Sequence, residues 1–466
     1  LGVIYKEKGQ LDQALEATLK AIELRPDDAD TYLNCGAIYK EKKQLDQALA
    51  ATLKAIELEH GNSCAHFDLG SILFYQCQHD QALAATLKAI ELKPDYADAY
   101  TLLGIIEEAK GDLSKAKYRF NRSLDINPHQ GWAYYATSKN LQSTLEASSI
   151  LNQMKGISEI TLSPEDCIFL AFAKSNCYHK LDEFSSSAKY LSIANNIKMH
   201  FQPSEKDALI ACAERLLESG NDYFSNSSSG GKARIFIVGV PRCGSTLIES
   251  VLSINPLVVD LGETTALSQS VAGLNSTDNI LLRRSLEELY LDQLNIPRAA
   301  TEITIDKNLT NYMRVGIILR SMPAAKIIHC RRNPLDNILS MYRSNLTVGN
   351  NYTSSLEDSA EVLISQEKAM RYFKELFPSS IYTLNYESVV NETQNQIHEL
   401  TAWLKLDWND GYLQPYKSTR SINTASVVQA RQPINNKSVG GWKNYAEMLE
   451  PARRLLVESG LFEHEI

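Results

Sequence analysis

The sequence predicts two architectures in one chain: an N-terminal superhelix of paired helices, then an α/β domain built on a parallel sheet. Three observations carry that expectation. A block of fourteen residues recurs at a fixed step through the first quarter of the chain. A polar stretch ending in two glycines, GNDYFSNSSSGG at residues 220 to 231, interrupts the pattern near the middle. Beyond it come an apolar run, a glycine turn and a second apolar run of helical spacing, which is the order strand, tight loop, helix.

Residues 11–24 read LDQALEATLKAIEL and residues 45–58 read LDQALAATLKAIEL, a displacement of 34. A third copy starts at His79 and a weaker fourth at Leu113, while Gly2, Gly36, Gly70 and Gly104, and likewise Ala14, Ala48, Ala82 and Ala116, keep the same step. Small residues at fixed positions let two helices approach closely, and Pro26, Pro94 and Pro128 stop the second helix of their units; His60 stands where another proline is expected. This period resembles the tetratricopeptide repeat. The resemblance implies an array in which each helix pair is buried by its neighbour and a concave face suits an extended peptide or a partner helix. From 133 to 220 the period fades, but Phe169, Ala173, Cys177, Leu181, Phe184, Ala188 and Leu191 keep helical spacing. The expected organisation is repeats over 1–132, degenerate helical repeats over 133–220, a linker over 221–232 and an α/β domain over 233–466.

At 466 residues the chain is long enough for two cores, and a composition of 44% apolar and 22% charged residues is that of an ordinary globular protein. A net charge of -9 argues against a nucleic-acid or anionic-membrane partner, so any anion site must be local. No run of 18 apolar residues suggests a membrane span. The eight cysteines lie scattered without metal-binding spacing, which favours reduced thiols in a cytoplasmic setting. The chain opens without a Met, inside a repeat unit, so a signal or anchor upstream would have been lost.

In the second half, ARIFIVGV reads as a buried strand, PRCGST as a tight turn and LIESVLSI as a helix. Backbone amides of such a turn and of the helix N-terminus converge on an anion, although a strand-to-helix turn without a ligand has the same pattern. A nucleotide triphosphatase places lysine after the second glycine; here Gly244 is followed by Ser245. No apolar strand ending in an aspartate presents itself as the magnesium-holding partner. Arg242 inside the loop supplies a fixed cation whose fork can hold two oxygens. A second block, AKIIHCRRNPLDNILSMY from Ala325, reads as a strand, then a helix with Pro334 in its first turn. Arg332 precedes that helix and Ser340 lies eight residues on, about two turns further along one face, so the pair can grip a second phosphate; taken alone, an ordinary surface arginine on a solvated helix is the better reading of this block.

Taken together, the two blocks resemble the bipartite site of sulfotransferases that use 3′-phosphoadenosine 5′-phosphosulfate, most closely the protein-tyrosine sulfotransferase branch and the bacterial enzymes with N-terminal tetratricopeptide repeats. That branch has the loop PRSGTT where this chain has PRCGST. The resemblance therefore implies that Arg242, Cys243, Gly244, Ser245 and Thr246 cradle the 5′-phosphosulfate and that Arg332 with Ser340 holds the 3′-phosphate. It also implies a catalytic base at Glu263, 21 residues after Arg242, and a catalytic lysine at Lys307. The family usually shows two adjacent glutamates, whereas Gly262 takes the first position here. Tyr386 falls on a nucleotide-contacting tyrosine, Arg431 on a basic residue near the 3′-phosphate, and residues 437–442 on a closing lid. Either Thr424 or Ser426 supplies a hydroxyl near the sulfate.

Sulfuryl transfer needs in-line positioning, a carboxylate within reach of the acceptor hydroxyl and cations beside the departing oxygen; Glu263, and Lys307 with Arg242, match those roles without a metal. Apart from the resemblance, Glu263 in GETT also reads as a helix-capping residue. His329 reads as a packed residue rather than a base, and Trp403, Trp408 and Trp442 as packing or lid. Expected acceptors are protein tyrosine first and a sugar or small-molecule hydroxyl second. The competing classes are a non-enzymatic repeat scaffold with an inert second domain and, against the missing lysine, a kinase or triphosphatase.

Overall fold

The computed structural model describes residues 1–7, 10–42, 44–158, 162–219, 234–274, 285–294, 303–346, 349–418, 422, 424, 426–463 and 465–466. Two compact units emerge: Leu1–Glu183 with Thr419–Val428, and Phe184–Ser418 with Gln429–Ile466.

The first unit is helical. Pairs such as Ala29–Glu41 with Leu45–Leu58, Ser63–Tyr75 with His79–Leu92, and Ala97–Lys110 with Leu113–Ile126 repeat the predicted register. Repeat alanines Ala14, Ala48 and Ala82 are fully buried. The repeat glycines lie where the paired helices approach closely: a Cβ on Gly36 would lie 2.7 Å from Thr52 Oγ1, on Gly70 2.4 Å from Thr86 Oγ1, and on Gly104 2.4 Å from Phe120 Cε1. Successive units are tied by the same contact in each, since Lys42 bonds Asp12, Gln76 donates to Asp46 at 3.0 Å and Lys110 bonds Asp80. His60 does not prevent its turn, because Asn62 caps the following helix by accepting from the Ala65 amide at 3.1 Å.

The array extends through Gly131–Ser138, Thr144–Met154 and Pro164–Lys180, but the expected run of degenerate repeats to 220 is cut short. Helices Phe184–Phe201 and Lys206–Ser219 belong to the second unit. Side chains explain why: Ser187 accepts from Tyr445 at 2.9 Å, Asn195 donates to the Tyr342 carbonyl at 2.9 Å, Lys206 bonds Glu361 at 2.6 Å, and Leu209 and Leu216 pack on the second unit's core. Amphipathic spacing alone does not say which core a helix covers. The expected linker, 221–232, lies outside the described residues.

The second unit is a five-stranded, all-parallel sheet with helices on both faces. Its strands are β1 (Arg234–Val238), β2 (Val258–Asp260), β3 (Ile303–Asp306), β4 (Lys326–Arg331) and β5 (Ile381–Asn385), in the order β2-β3-β1-β4-β5. Register pairs Phe236 with Asp306, Val238 with His329 and Arg331 with Asn385. Strand alternation divides the core: Phe236, Val238 and Ile327 pack with Tyr290, Ile318 and Phe373 on one face, while Ile235, Ile237 and Ile328 pack with Val251, Leu252 and Leu400 on the other. Each such fully buried side chain contributes roughly 1.5 to 3 kcal/mol. The chain leaves β1 between strands wound in opposite directions, the place where ligands bind outside the carboxyl ends of a parallel sheet.

Candidate active site

Every strand ends beside a residue singled out from the sequence. Arg242 follows β1 by four positions and Glu263 follows β2 by three; Lys307, Arg332 and Tyr386 come immediately after β3, β4 and β5. Five scattered segments are thus delivered to one edge of the sheet.

The loop after β1 is held in an unusual conformation. Gly244 has φ +97°, and a Cβ there would meet Tyr386 Cδ2 at 2.7 Å. Arg242 itself adopts φ +70°, a left-handed conformation that costs a non-glycine residue on the order of 1 kcal/mol and needs surrounding support. Helix Pro334–Tyr342 supplies it: Asn337 Nδ2 donates to the Pro241 carbonyl at 2.7 Å, and Arg242 Nε donates to Ser340 Oγ at 3.1 Å. That helix is started by Pro334 and by Asn333, whose side chain accepts from the Asp336 amide. Ser245 and Thr246, both buried, open the helix Ser245–Leu252. Cys243 is buried against Cys330 of β4; hydrogen bonding from the Cys330 thiol pulls the Cys243 thiol down, and that bond together with burial pushes Cys330 up.

Arg332 joins the two predicted halves. Its Nη1 donates to the Arg242 carbonyl at 3.3 Å and its Nη2 to the Ser438 carbonyl at 3.0 Å, while the guanidinium stacks on the Tyr386 ring 4.8 Å from the centroid. Its Nε is buried with no hydrogen-bond partner among the described residues. A buried donor left unpaired costs about 1 to 3 kcal/mol, so this nitrogen suits an arriving oxyanion, as a nucleotide phosphate would provide. The segment expected to act as a lid is tied to the helix Pro334–Tyr342 and to Tyr386. Asp336 accepts from the amides of Gly440 at 2.6 Å and Trp442 at 2.8 Å, and Ser438 Oγ meets the Tyr386 hydroxyl at 3.1 Å.

On the other side of the loop, Lys307 is 1% exposed and its Nζ lies 2.6 Å from Glu263 Oε1. The turn carrying Glu263 is fixed to the end of β3: the Lys307 amide donates to the Gly262 carbonyl at 2.9 Å and Asn308 Nδ2 to the Thr264 carbonyl at 2.8 Å. At the start of the next helix, Thr264 Oγ1 accepts from the Ala266 amide at 3.1 Å. Burial pushes the Lys307 ammonium down, but Glu249 and Glu263 outweigh it and hold the group above the ordinary lysine value.

Two features were missed by sequence reasoning. An apolar strand ending in aspartate does exist: β3 ends at Asp306, buried beside β1. Its residues alternate Ile and Thr, and that short pattern hid it. Both oxygens already accept bonds, Oδ1 from the Asn308 amide at 2.9 Å and Asn311 at 3.2 Å, Oδ2 from Tyr290 at 3.0 Å. Glu249, read as one position of an apolar helix, is 1% exposed and faces Lys307. Arg431 Nη1 donates to the Ser418 carbonyl. Thr424 accepts from the Ser426 amide at 3.2 Å within the segment that belongs to the first unit. His329 behaves as a packed residue, bonded to Gln366 at 2.7 Å and lowered to about 4 by burial.

Comparison with known proteins divides the chain the same way. Residues 234–410 match the model of the sulfotransferase family. Residues 2–43, 29–60 and 67–130 match tetratricopeptide-repeat models. An uncharacterized protein of Aquifex aeolicus (strain VF5) is 31% identical over 250 residues, 49% of this chain and 32% of its own length. Protein-tyrosine sulfotransferase 2 of Gallus gallus is 22% identical over 241 residues, 45% of this chain and 62% of its own. Among solved structures, the sulfotransferase domain from the Synechococcus PCC 7002 olefin synthase aligns over 50% of this chain and 98% of that domain, at 16% identity and a TM-score of 0.37. The chain spans about a third of the first relative and less than two thirds of the second.

Proposed function

We propose that this chain, a tetratricopeptide-repeat array joined to a domain of the sulfotransferase family, moves the sulfuryl group of 3′-phosphoadenosine 5′-phosphosulfate to a hydroxyl acceptor, protein tyrosine first. The observation that carries the reading is the Lys307 to Glu263 pair, a buried cation and an exposed carboxylate 2.6 Å apart at the edge of the β1 loop. The donor, when bound, supplies an activated sulfuryl group on a phosphate leaving oxygen.

The chain's own residues then have separate tasks. Loop amides from Cys243 to Thr246 and the Arg242 guanidinium hold the 5′ end; Arg332, its Nε free to donate, and Ser340 hold the 3′-phosphate. Glu263 takes the proton of the acceptor hydroxyl as the acceptor oxygen bonds to sulfur, and the bond from sulfur to the phosphate oxygen breaks. Lys307 and Arg242 stabilise the charge that gathers on that oxygen. The repeat array is assigned the acceptor, as a peptide held along its concave face.

A sugar or small-molecule hydroxyl is the second reading, favoured by Gly262: its φ of +62° fixes a glycine where related enzymes carry a further glutamate, so the acceptor side differs. Purified protein is heated with and without 3′-phosphoadenosine 5′-phosphate and then given labelled donor with a tyrosine peptide or with sugars. Saturation at 100 times Kd should add about 2.7 kcal/mol of stability. Label on tyrosine supports the first reading and label on sugar the second. Nucleotide binding without transfer to either would favour the scaffold reading, and no binding at all would sink both enzymatic ones.

A further inference from the structure

Lys307 touches two carboxylates of different character. Glu263 keeps 58% of its side-chain surface exposed, whereas Glu249, its Oε2 3.9 Å from Lys307 Nζ, is as buried as the lysine at 1%. Resting on the reading above, we propose that Glu249 is a positioning residue that keeps Lys307 charged and in place while Glu263 turns to the acceptor.

The need follows from the proton's path. Once Glu263 has accepted the acceptor's proton it is neutral, and its attraction for the ammonium falls. A buried ammonium with no carboxylate left would shed its own proton, and with it the means to neutralise the leaving oxygen. Glu249 cannot take the acceptor's proton, because it is sealed inside the helix Ser245–Leu252 that the β1 loop opens. It therefore keeps its place beside Lys307 when Glu263 turns to the acceptor. The same helix carries Ser245 and Thr246, so the loop and the lysine's inner anchor form one rigid piece. Among the described residues, the other titratable groups facing Lys307 are Cys243 from the loop, Cys330 from β4 and Asp306 at the end of β3. The Cys243 and Cys330 thiols bond each other, and both oxygens of Asp306 already accept hydrogen bonds.

The test reads the stabilisation given by 3′-phosphoadenosine 5′-phosphate across pH in the full chain. In the parent protein the nucleotide-induced rise in Tm should persist into the alkaline range. In Glu249→Gln it should be lost at a pH lower by about one unit or more, because Lys307 gives up its proton early. Glu249→Asp, which retains the charge, should hold the parent's range. A Glu249→Gln profile that superimposes on the parent's overturns the proposal. Should Glu249→Gln fail to fold, the double variant with Lys307→Met should recover the fold, since cation and carboxylate leave together; failure to recover also overturns it. No nucleotide effect in the parent at any pH is a different result, and it rejects the donor reading itself.

Discussion

Lys307 Nζ and Glu263 Oε1 meet at 2.6 Å, although one residue follows an inner strand and the other sits in a turn beyond an edge strand. The two members should fail differently. Glu263→Gln removes only the proton acceptor, so kcat should fall by 10²-fold or more, in the range of about 10² to 10⁴ typical of a general base, with nucleotide binding nearly unchanged. Lys307→Met removes a preorganised cation and should cost roughly 3 kcal/mol in the transition state. Transfer of labelled sulfate measures both; a Glu263→Gln variant with parental kcat would remove Glu263 from the chemistry.

Arg332 makes a separate prediction. Its guanidinium is already oriented by Tyr386 and two carbonyls, leaving Nε for a ligand. Arg332→Ala should weaken 3′-phosphoadenosine 5′-phosphate by roughly 2 to 3 kcal/mol, the worth of a charge-assisted bond. Against adenosine 5′-phosphate, which lacks the 3′ group, the same variant should lose far less. Calorimetry with both nucleotides checks this, and equal losses would mean that Arg332 does not read the 3′-phosphate.

Which parts of this site were legible is itself physically ordered. Arg242, Gly244, Arg332 and Ser340 could be read because each depends on a local pattern, a strand followed by a turn or helix. Lys307 and Glu263 were found by resemblance, since nothing local says that β2 and β3 are neighbours. Glu249 and Asp306 stayed hidden: a carboxylate within an apolar run looks like a solvated helix position until burial is known. The repeat was legible in full from its period, but the helix Phe184–Phe201 was not assignable, because the core it covers is set by long-range partners such as Tyr342 and Tyr445.

Asp306 should leave a mark on pH dependence. Burial raises its carboxyl from 3.8 to about 7, against the lowering effect of bonds from Asn308, Tyr290 and Asn311. Between those values the folded chain holds a proton that the unfolded chain has released, so this group lowers stability as pH rises through the window. His329 has the opposite slope: lowered from 6.5 to about 4, it stays neutral when folded, and stability falls as pH drops between those values. The two partly cancel. Asp306→Asn should unmask the histidine, giving urea-unfolding stability that climbs with pH from about 4 to 6.5 more steeply than in the parent. An unchanged slope would show that Asp306 is ionised in the folded chain throughout.

The repeat glycines make a prediction that depends on their neighbours rather than on glycine itself. A Gly→Ala change inside a helix gains about 1 kcal/mol of propensity, so an effect of the other sign must come from packing. At Gly104 the new Cβ would lie 2.4 Å from Phe120 Cε1 and 2.7 Å from its Cδ1, in a ring only 3% exposed and unable to swing away. At Gly36 the obstacle is Thr52 Oγ1 at 2.7 Å, a single hydroxyl that another rotamer can move. Overpacking costs typically about 1 to 3 kcal/mol, so Gly104→Ala should destabilise the array on balance while Gly36→Ala stays near neutral. Nearest-neighbour coupling in such arrays should confine the Gly104→Ala loss to amides of the adjoining helix pairs in hydrogen exchange. Equal behaviour of the two variants would show that helix propensity, not the close approach of the paired helices, governs these positions.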